Sequence, residues 1–276
     1  MIKNDKKKTT QRKNIDKEQF FTQHNTAKRL ADFVKSQPWF DPEARIIEPA
    51  AGDGAWSDLF EDCLAYDIDP QKQGIVKADF LGLELDYIPK TISLGNPPFG
   101  RMGKLALQFI DKCSEISDYI AFILPASFGK ATVKRRVPKD FHLIHQEEML
   151  DETFRFERDG RKVATVFQVW ERGTTERIDP PLIRECDDFS FVKNPEGADL
   201  AIRTHGSGYG LVFRDNFQDI SPRTHRFIKA KAETPKLIAQ RLEGIDYYQT
   251  AKFTTGAPCV ATSEIFKLYL AEKTIS

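Results

Sequence analysis

Four short apolar segments, each followed by a polar residue and a turn, succeed one another between residues 46 and 99. Their sequences are IIE, LAYD, IVKAD and TISLGN. Short apolar runs bounded by turns predict buried strands, and alternation with helical segments predicts a parallel sheet covered by helices. In open α/β sheets, ligands bind outside the carboxyl ends of the strands. The polar residues at these ends are therefore candidate ligands: Glu48, Asp67, Asp79 and Asn96.

The first segment is followed by a turn of small residues, PAAGDG. Gly52 and Gly54 allow a ligand to approach the backbone closely, because they lack a Cβ atom. The turn lacks the Gly-Lys-Ser/Thr ending of a P-loop and the full G-x-G-x-x-G of a dinucleotide site. By itself it predicts a close-approach site without identifying the ligand.

The tetrapeptide Asn96-Pro97-Pro98-Phe99 follows the fourth segment. An Asn oxygen and the next carbonyl can accept hydrogen bonds from both N–H groups of an amine on a planar ring. The two prolines fix φ at about −65° and donate no N–H, so the loop is rigid and presents carbonyls. Phe99 offers a flat apolar face to the ring. The same tetrapeptide is also typical of a turn that ends a strand, with Phe99 in the core.

EPAAGDG followed about forty residues later by NPPF resembles motifs I and IV of the amino-directed, S-adenosyl-L-methionine-dependent methyltransferases. FFTQHNTAKRLADF resembles the N-terminal motif of that family, and the motif order is similar to that of gamma-type N6-adenine methyltransferases. The resemblance covers roughly residues 20–172. It implies an α/β, Rossmann-like class I methyltransferase with a seven-stranded mixed sheet, S-adenosyl-L-methionine as cofactor, and adenine N6 as target.

The resemblance also implies which residues bind the cofactor. Phe21 and Thr22 would contact its methionine end, Asp67 rather than Asp69 would accept hydrogen bonds from the ribose hydroxyls, and Asp79 and Phe80 would hold the adenine. Taken singly, each acid is equally typical of a solvated loop. The implied set is Phe21, Thr22, Glu48, Pro49, Ala50, Gly52, Asp53, Gly54, Asp67, Ile68, Asp79, Phe80 and Asn96.

For the substrate, the resemblance implies that Asn96, Pro97, Pro98 and Phe99 hold a flipped base, whose amine attacks the methyl group directly. A second aromatic residue, Phe154 or Phe156, would stack on that base, although alternating Phe residues also simply bury one face of a strand. A basic cluster after the apolar run ILPASF is a candidate for phosphate contact or, alternatively, a solvated helix face. Its members are Lys130, Lys134, Arg135 and Arg136.

Charge is unevenly distributed along the chain, whose 276 residues have a formal net charge of zero. Residues 1–19 and residues 201–276 each carry a net charge of +4. Basic ends fit a polyanionic substrate, while a Lys-rich N-terminus is also typical of a solubilising tail. We expect a basic, flexible tail at 1–19, a catalytic domain at 20–172, and a C-terminal extension at 173–276. That small extension is rich in β-like sequence and is a candidate for substrate recognition.

Several classes of protein are disfavoured. An apolar run of roughly eighteen residues is missing and no hydrophobic region follows the basic N-terminus, which predicts an intracellular protein without a membrane span. The four cysteines are scattered without a C-x-x-C pair, which predicts reduced, buried thiols and no metal site. None lies in the Pro-Cys context that cytosine C5 methylation requires.

DNA is the favoured substrate, and RNA is the main alternative, because NPPF occurs in methyltransferases of both. Cytosine N4 is disfavoured, since that activity is more often associated with Ser-Pro-Pro. A protein-glutamine methyltransferase usually has Tyr in place of Phe99. A non-catalytic binder of nucleic acid or protein remains a further alternative, although neither Asn96 nor Gly52 has been lost.

Overall fold

The computed structural model describes residues 21–149, 154–155, 163–254 and 256–275. The chain forms two compact units, one extending to Ile178 and the other beginning at Asp179. The basic segment 1–19 and Phe156 lie outside the described residues.

The first unit contains strands and helices in alternation. The strands are β1 (Phe21–Thr22), β2 (Ile46–Glu48), β3 (Leu64–Asp67), β4 (Val76–Lys77), β5 (Ile92–Gly95), β6 (Tyr119–Pro125), β7 (Phe141–Met149), β8 (Phe154–Arg155) and β9 (Thr165–Arg172). The helices are α1 (His24–Lys35), α2 (Lys104–Ser114) and α3 (Ala131–Lys134).

Seven of these strands form one mixed sheet in the order β4-β3-β2-β5-β6-β9-β7. Strands β2 to β6 are all parallel, and β9 pairs antiparallel with both β6 and β7. The last strand of the unit is therefore inserted between β6 and β7. This arrangement confirms the predicted fold class. The Asp-Gly turn signal at 159–160 also predicts an antiparallel pair of strands on either side of it, and β7 and β9 form that pair.

Helix α1 packs on the central strands through a single apolar face. Ala27, Leu30, Ala31 and Val34 recur at helical spacing, are at most 1% exposed, and share a core cluster that also contains residues of β2 and β5. The N-cap residue Gln23 makes no side-chain capping bond. Burial of a side chain such as Leu30 contributes about 1.5–3 kcal/mol, so packing rather than capping stabilises this helix.

Two predicted helices of the first unit are shorter than expected. The sequence predicts a helix from about Ala55, but the structure has a single 3-10 turn there, Ser57–Leu59. Only a short connection separates this turn from β3, and the Glu48 carboxylate takes up the Ser57 N–H. The basic helix expected after β6 is reduced to α3, because the chain turns at Pro138 and the guanidinium of Arg177 binds the carbonyls at its end.

The second unit is built on a four-stranded antiparallel sheet with the order β10-β13-β11-β12. This sheet agrees with the predicted β-rich extension. Its strands are β10 (Phe189–Val192), β11 (Leu200–Arg203), β12 (Val212–Phe213) and β13 (His225–Ala230). The helices are α4 (Pro235–Gly244), α5 (Tyr248–Ala251) and α6 (Thr262–Ile275).

A buried carboxylate just before β10, that of Asp188, contacts side chains of helices α4 and α6. Asp188 is 3% exposed, accepts hydrogen bonds from the Tyr269 hydroxyl and the Lys273 ammonium at 2.8 Å each, and lies 3.5 Å from the Arg241 guanidinium. The segment EIFKLYLAEK predicts a closing amphipathic helix, and α6 is that helix. The sequence YYQTAKFTTGAPCV predicts a β-like segment, but the structure has the short helix α5 there, with Tyr247 buried and Tyr248 exposed.

Candidate active site

The carboxyl ends of β2, β3, β4 and β5 open into one pocket of about 200 Å³. Because these four strands are parallel, the residues that follow them in sequence meet at a single edge of the sheet. Among the lining residues are Phe21, Thr22, Glu48, Pro49, Ala50, Gly52, Asp53, Asp67, Ile68, Asp79, Phe80, Asn96, Pro97, Pro98 and Phe99. Gly54 belongs to the same turn and is not a lining residue.

The small-residue turn after β2 requires glycine at its centre. Gly52 has a φ of +55°, and a Cβ atom there would lie 3.0 Å from Cε1 of Phe21. The ring of Phe21, in β1, therefore rests directly on the turn. Ala51 donates its N–H to the Tyr66 carbonyl at 2.8 Å, which fixes the turn to β3. Glycine is thus required at position 52 because the Phe21 ring occupies the space that a side chain would need, and both residues line the pocket.

Asp67, at the end of β3, holds this turn through its carboxylate. Oδ2 accepts the Gly52 N–H and Oδ1 accepts the Asp69 N–H, both at 2.7 Å. An ionised carboxylate has about four acceptor positions, so two remain for hydroxyl groups of a ligand. Asp69 also lines the pocket, but its side chain is exposed.

Glu48 is the buried acid of the site, with 2% exposure. Its Oε2 accepts the Ser57 N–H at 2.8 Å. A Cβ atom on Gly95, whose φ is +131°, would lie 3.3 Å from Cγ of Glu48. Burial raises the pKa of Glu48 from its ordinary 4.5 to about 8, with Asp53 and Asp67 adding to the shift and the Ser57 hydrogen bonds opposing it. As long as no cation lies beside it, the Glu48 carboxyl is therefore favoured in its protonated form at neutral pH.

We expect Glu48→Gln to change how stability depends on pH. Because the pKa of Glu48 is raised in the folded state, this residue contributes stability to the wild type. The contribution is complete below about pH 4.5 and is lost as the pH rises through about 8. The glutamine amide does not ionise. Between pH 5 and pH 9, the free energy of unfolding of the variant should therefore rise relative to that of wild type by a few kcal/mol, on the order of the pKa difference. Urea unfolding at both pH values measures this. Exposed Glu61→Gln is the matched control, and parallel profiles for Glu48→Gln and wild type would contradict the expectation.

The tetrapeptide after β5 lies at the centre of the pocket. Asn96 is half-buried, and Phe99 is 6% exposed. The Phe99 carbonyl accepts the N–H groups of Leu105 at 3.1 Å and Ala106 at 3.3 Å, which ties the loop to α2. Phe99 belongs to the core cluster and also lines the pocket. The two interpretations of this residue, core packing and contact with a planar ligand, are therefore compatible.

The end of β4 supplies an acid and an aromatic wall. Asp79 accepts the Gly82 N–H on its carbonyl at 3.0 Å, closing a turn that carries Phe80. Phe80 is 2% exposed and stacks on Phe109 of α2, with ring centroids 6.1 Å apart and planes at 7°. Its position is fixed by packing, so the pocket wall is rigid there.

Eight lining residues were not among those expected from the sequence, and Trp56, Leu105 and Phe109 are among the largest of them. Leu105 and Phe109 lie one turn apart on α2, and this i, i+4 spacing directly after the tetrapeptide is a signal the sequence contains. Trp56 is 1% exposed and packs parallel to Phe167, with ring centroids 6.2 Å apart. Phe167 lies on β9, which is distant from Trp56 in the sequence, so this contact could not be predicted locally.

The four basic residues lie on and around α3, beyond the carboxyl end of β6, and none of them lines the pocket. Arg177 fixes this segment by donating to the carbonyls of Lys134 at 3.2 Å, Val137 at 3.1 Å and Pro138 at 3.2 Å. Lys130 is buried and Lys134 is half-buried, whereas Arg136 is exposed. Burial lowers the pKa of Lys134.

The backbone of Phe154 pairs with Thr22, because β8 and β1 form a separate two-stranded antiparallel sheet. This pairing brings the segment after β7 beside a pocket-lining strand. The predicted stacking role of Phe154 or Phe156 stays a prediction.

All four cysteines are free thiols, as expected. Cys113 and Cys186 are buried, but Cys63 and Cys259 are only partly covered, so the expectation of buried thiols was half right. Burial raises the pKa of Cys63 and of Cys113 to about 12, which makes both poor nucleophiles. Within the described ranges, no cluster of His, Cys, Asp and Glu has the geometry of a metal site. In the same residues, we find no helix with the length and apolar character that crossing a membrane requires.

No protein-family model and no curated protein sequence matches the chain. Among solved structures, it is similar to a putative RNA methyltransferase from Pyrococcus horikoshii, with 20% identity and a TM-score of 0.43 over 56% of this chain and 87% of that one. A modification subunit of a putative type I restriction enzyme from Vibrio vulnificus has 13% identity and a TM-score of 0.44, over 64% of this chain and 47% of that one. A putative class I S-adenosylmethionine-dependent methyltransferase from Listeria monocytogenes has 16% identity and a TM-score of 0.43, over 58% of this chain and 63% of that one. At these values the similarity says nothing about the substrate of this chain.

Proposed function

We propose that this protein transfers a methyl group from S-adenosyl-L-methionine to N6 of adenine in nucleic acid, with DNA preferred to RNA. One observation carries the proposal. The amine-accepting loop that begins at Asn96 and the strand-end acids Glu48, Asp67 and Asp79 line the same pocket. A methyl donor and a planar amine held by these two sets of groups would lie next to each other.

The residues of the pocket fit the cofactor. The buried carboxyl of Glu48 needs a cationic partner to ionise, and the ammonium of the methionine end supplies one. The two acceptor positions left on Asp67 suit the ribose hydroxyls, while Asp79 and Phe80 suit the adenine. Phe21 and Thr22 would border the methionine end. S-adenosyl-L-methionine, when bound, would supply a sulfonium methyl group that an amine can attack directly, with the thioether S-adenosylhomocysteine as leaving group and loss of one amine proton.

The loop then acts on the substrate base. The Asn96 side-chain oxygen and the Pro97 carbonyl accept the two N–H groups of the amine, which shifts electron density towards its nitrogen and orients it. Pro97 and Pro98 keep these acceptors in place without competing donors. Phe99 holds the ring plane. No covalent intermediate with the enzyme is needed, and none of the four cysteines lines the pocket.

A base inside a duplex cannot reach this pocket without leaving the stack, which costs a few kcal/mol. Binding energy from the sugar-phosphate backbone has to offset that cost. We assign phosphate contacts to Lys130, Lys134, Arg135 and Arg136, which lie at the carboxyl edge of the sheet, as the pocket does.

The test is a transfer assay with labelled S-adenosyl-L-methionine on duplex DNA, single-stranded DNA and RNA of matched sequence. We expect label in DNA that is recovered as N6-methyladenine after digestion. Cofactor binding is measured separately by calorimetry, so that an inactive substrate is distinguished from an empty cofactor site. Label in RNA alone would replace DNA by RNA in the proposal. Normal cofactor binding without transfer to any nucleic acid would contradict it.

A further inference from the structure

A strained loop joins two residues of the pocket wall, Phe99 and Leu105. Its tip is Met102, whose side chain is 79% exposed. Met102 also has a φ of +58°, in the left-handed region that residues with a Cβ atom disfavour. An apolar side chain held in water by an unfavourable backbone conformation contributes nothing to folding. Such strain is concentrated at functional sites.

The two ends of the loop are tightly fixed. A Cβ atom on Gly100 (φ +64°) would lie 2.6 Å from Cβ of Leu105, and one on Gly103 (φ +69°) would lie 3.0 Å from Cε2 of Phe128. Gly103 also donates its N–H to the Gly100 carbonyl at 3.1 Å. Both ends therefore tolerate only glycine and are held against the core. The loop cannot fold Met102 inwards without breaking this packing, so the tip projects in a fixed direction.

The neighbours of Met102 are cationic. Arg101 and Lys104 are both exposed, so the apolar tip is flanked by two positive charges beside the amine-binding loop. This combination suits a nucleic-acid duplex, in which phosphates border a stack of apolar base faces. Proteins that distort duplexes insert Met and similar apolar side chains between bases.

We propose that Met102 is a wedge that enters the base stack of a duplex and occupies the space left by the extruded adenine, with Arg101 and Lys104 against the flanking phosphates. The inference rests on the proposed function and extends it to double-stranded substrates. Phe99 and Met102 then have separate tasks, since Phe99 holds the base inside the pocket and Met102 stabilises the gap outside it.

The test compares Met102→Ala with wild type on a duplex and on the isolated target strand. Without the wedge, we expect the methylation rate to fall about tenfold on the duplex and to change less than about twofold on the single strand, because a single strand has no stack to refill. A duplex with a mismatch at the target base should recover most of the loss. Met102→Leu should retain activity, and Ile144→Ala, another exposed apolar side chain (40%), is the matched control.

Other outcomes would overturn the wedge. An unchanged duplex rate, or equal losses on duplex and single strand, would show that Met102 does not act on the stack. If the wild type methylates only single strands, the wedge proposal for Met102 is wrong, whereas the proposed methyl transfer is not contradicted. If wild type methylates no nucleic acid, the proposed function itself fails. Met102→Gly, which suits the positive φ, should show the same duplex defect in a protein at least as stable as wild type to urea.

Discussion

Asn96→Ala is expected to reduce the methyl-transfer rate by about 10²- to 10³-fold, the loss typical when one group that stabilises developing charge is removed. As the amine attacks, its N–H groups become more acidic, and their hydrogen bonds to the Asn96 side-chain oxygen and to the Pro97 carbonyl strengthen. Alanine leaves one of these N–H groups without an acceptor inside the pocket. The effect should therefore fall on the rate far more than on cofactor affinity.

Single-turnover rates with saturating cofactor, together with calorimetric cofactor affinity, separate these two quantities. Asn96→Asp is the matched variant, because it has the same shape and keeps an acceptor oxygen. It should be more active than Asn96→Ala at every substrate concentration. If Asn96→Ala retains more than about half of the rate, the loop does not hold the amine, and the tetrapeptide is then a structural turn. The expected size of the effect makes this the sharpest test of the site.

The strand-end residues were predictable from the sequence because one physical rule connects them. Short apolar runs make buried parallel strands, and parallel strands place Glu48, Asp67, Asp79 and Asn96 at one edge. The pocket contains all four. The sequence also predicts a helix from Lys104 to Ser114, because its apolar residues recur at helical spacing, and α2 has these bounds.

Features that depend on distant parts of the chain were not predictable. The sequence locates Glu48 but not its burial, which depends on Gly95 and on the turn at Ser57. The pairing of Thr22 with Phe154 joins segments more than a hundred residues apart. The packing of Trp56 on Phe167 also requires the complete sheet. In each case the local residues are compatible with several environments, and only tertiary contacts select one.

Two elements of the second unit were missed for local rather than tertiary reasons. Strand β13 was missed because its charged residues interrupt the apolar pattern, as in His225–Ala230. Helix α4 was also missed, although Thr234 caps it by accepting the Leu237 N–H and Pro235 follows at its first turn. That Thr-Pro signal is local and was available in the sequence.

Asp67→Ala is expected to weaken cofactor binding by about 100-fold without changing the base that is methylated. The substitution removes the proposed acceptor for the ribose hydroxyls, and hydrogen bonds to a charged group contribute about 1.5–3 kcal/mol. It also leaves the N–H groups of Gly52 and Asp69 without their acceptor, which should lower the free energy of unfolding by about 1–3 kcal/mol. The carboxylate thus has two tasks, one in the ligand site and one in the turn.

Two further variants separate these tasks. Asp67→Asn keeps one acceptor oxygen of the same shape, so it should recover much of the stability while cofactor affinity stays reduced. Asp69→Ala removes the neighbouring, exposed pocket acid and should change cofactor affinity by less than about threefold, because that carboxylate is solvated. Calorimetric titration gives the affinities and urea unfolding the stabilities. If Asp69→Ala weakens binding more than Asp67→Ala does, the ribose acceptor is Asp69, and the role of Asp67 is confined to shaping the turn around Gly52.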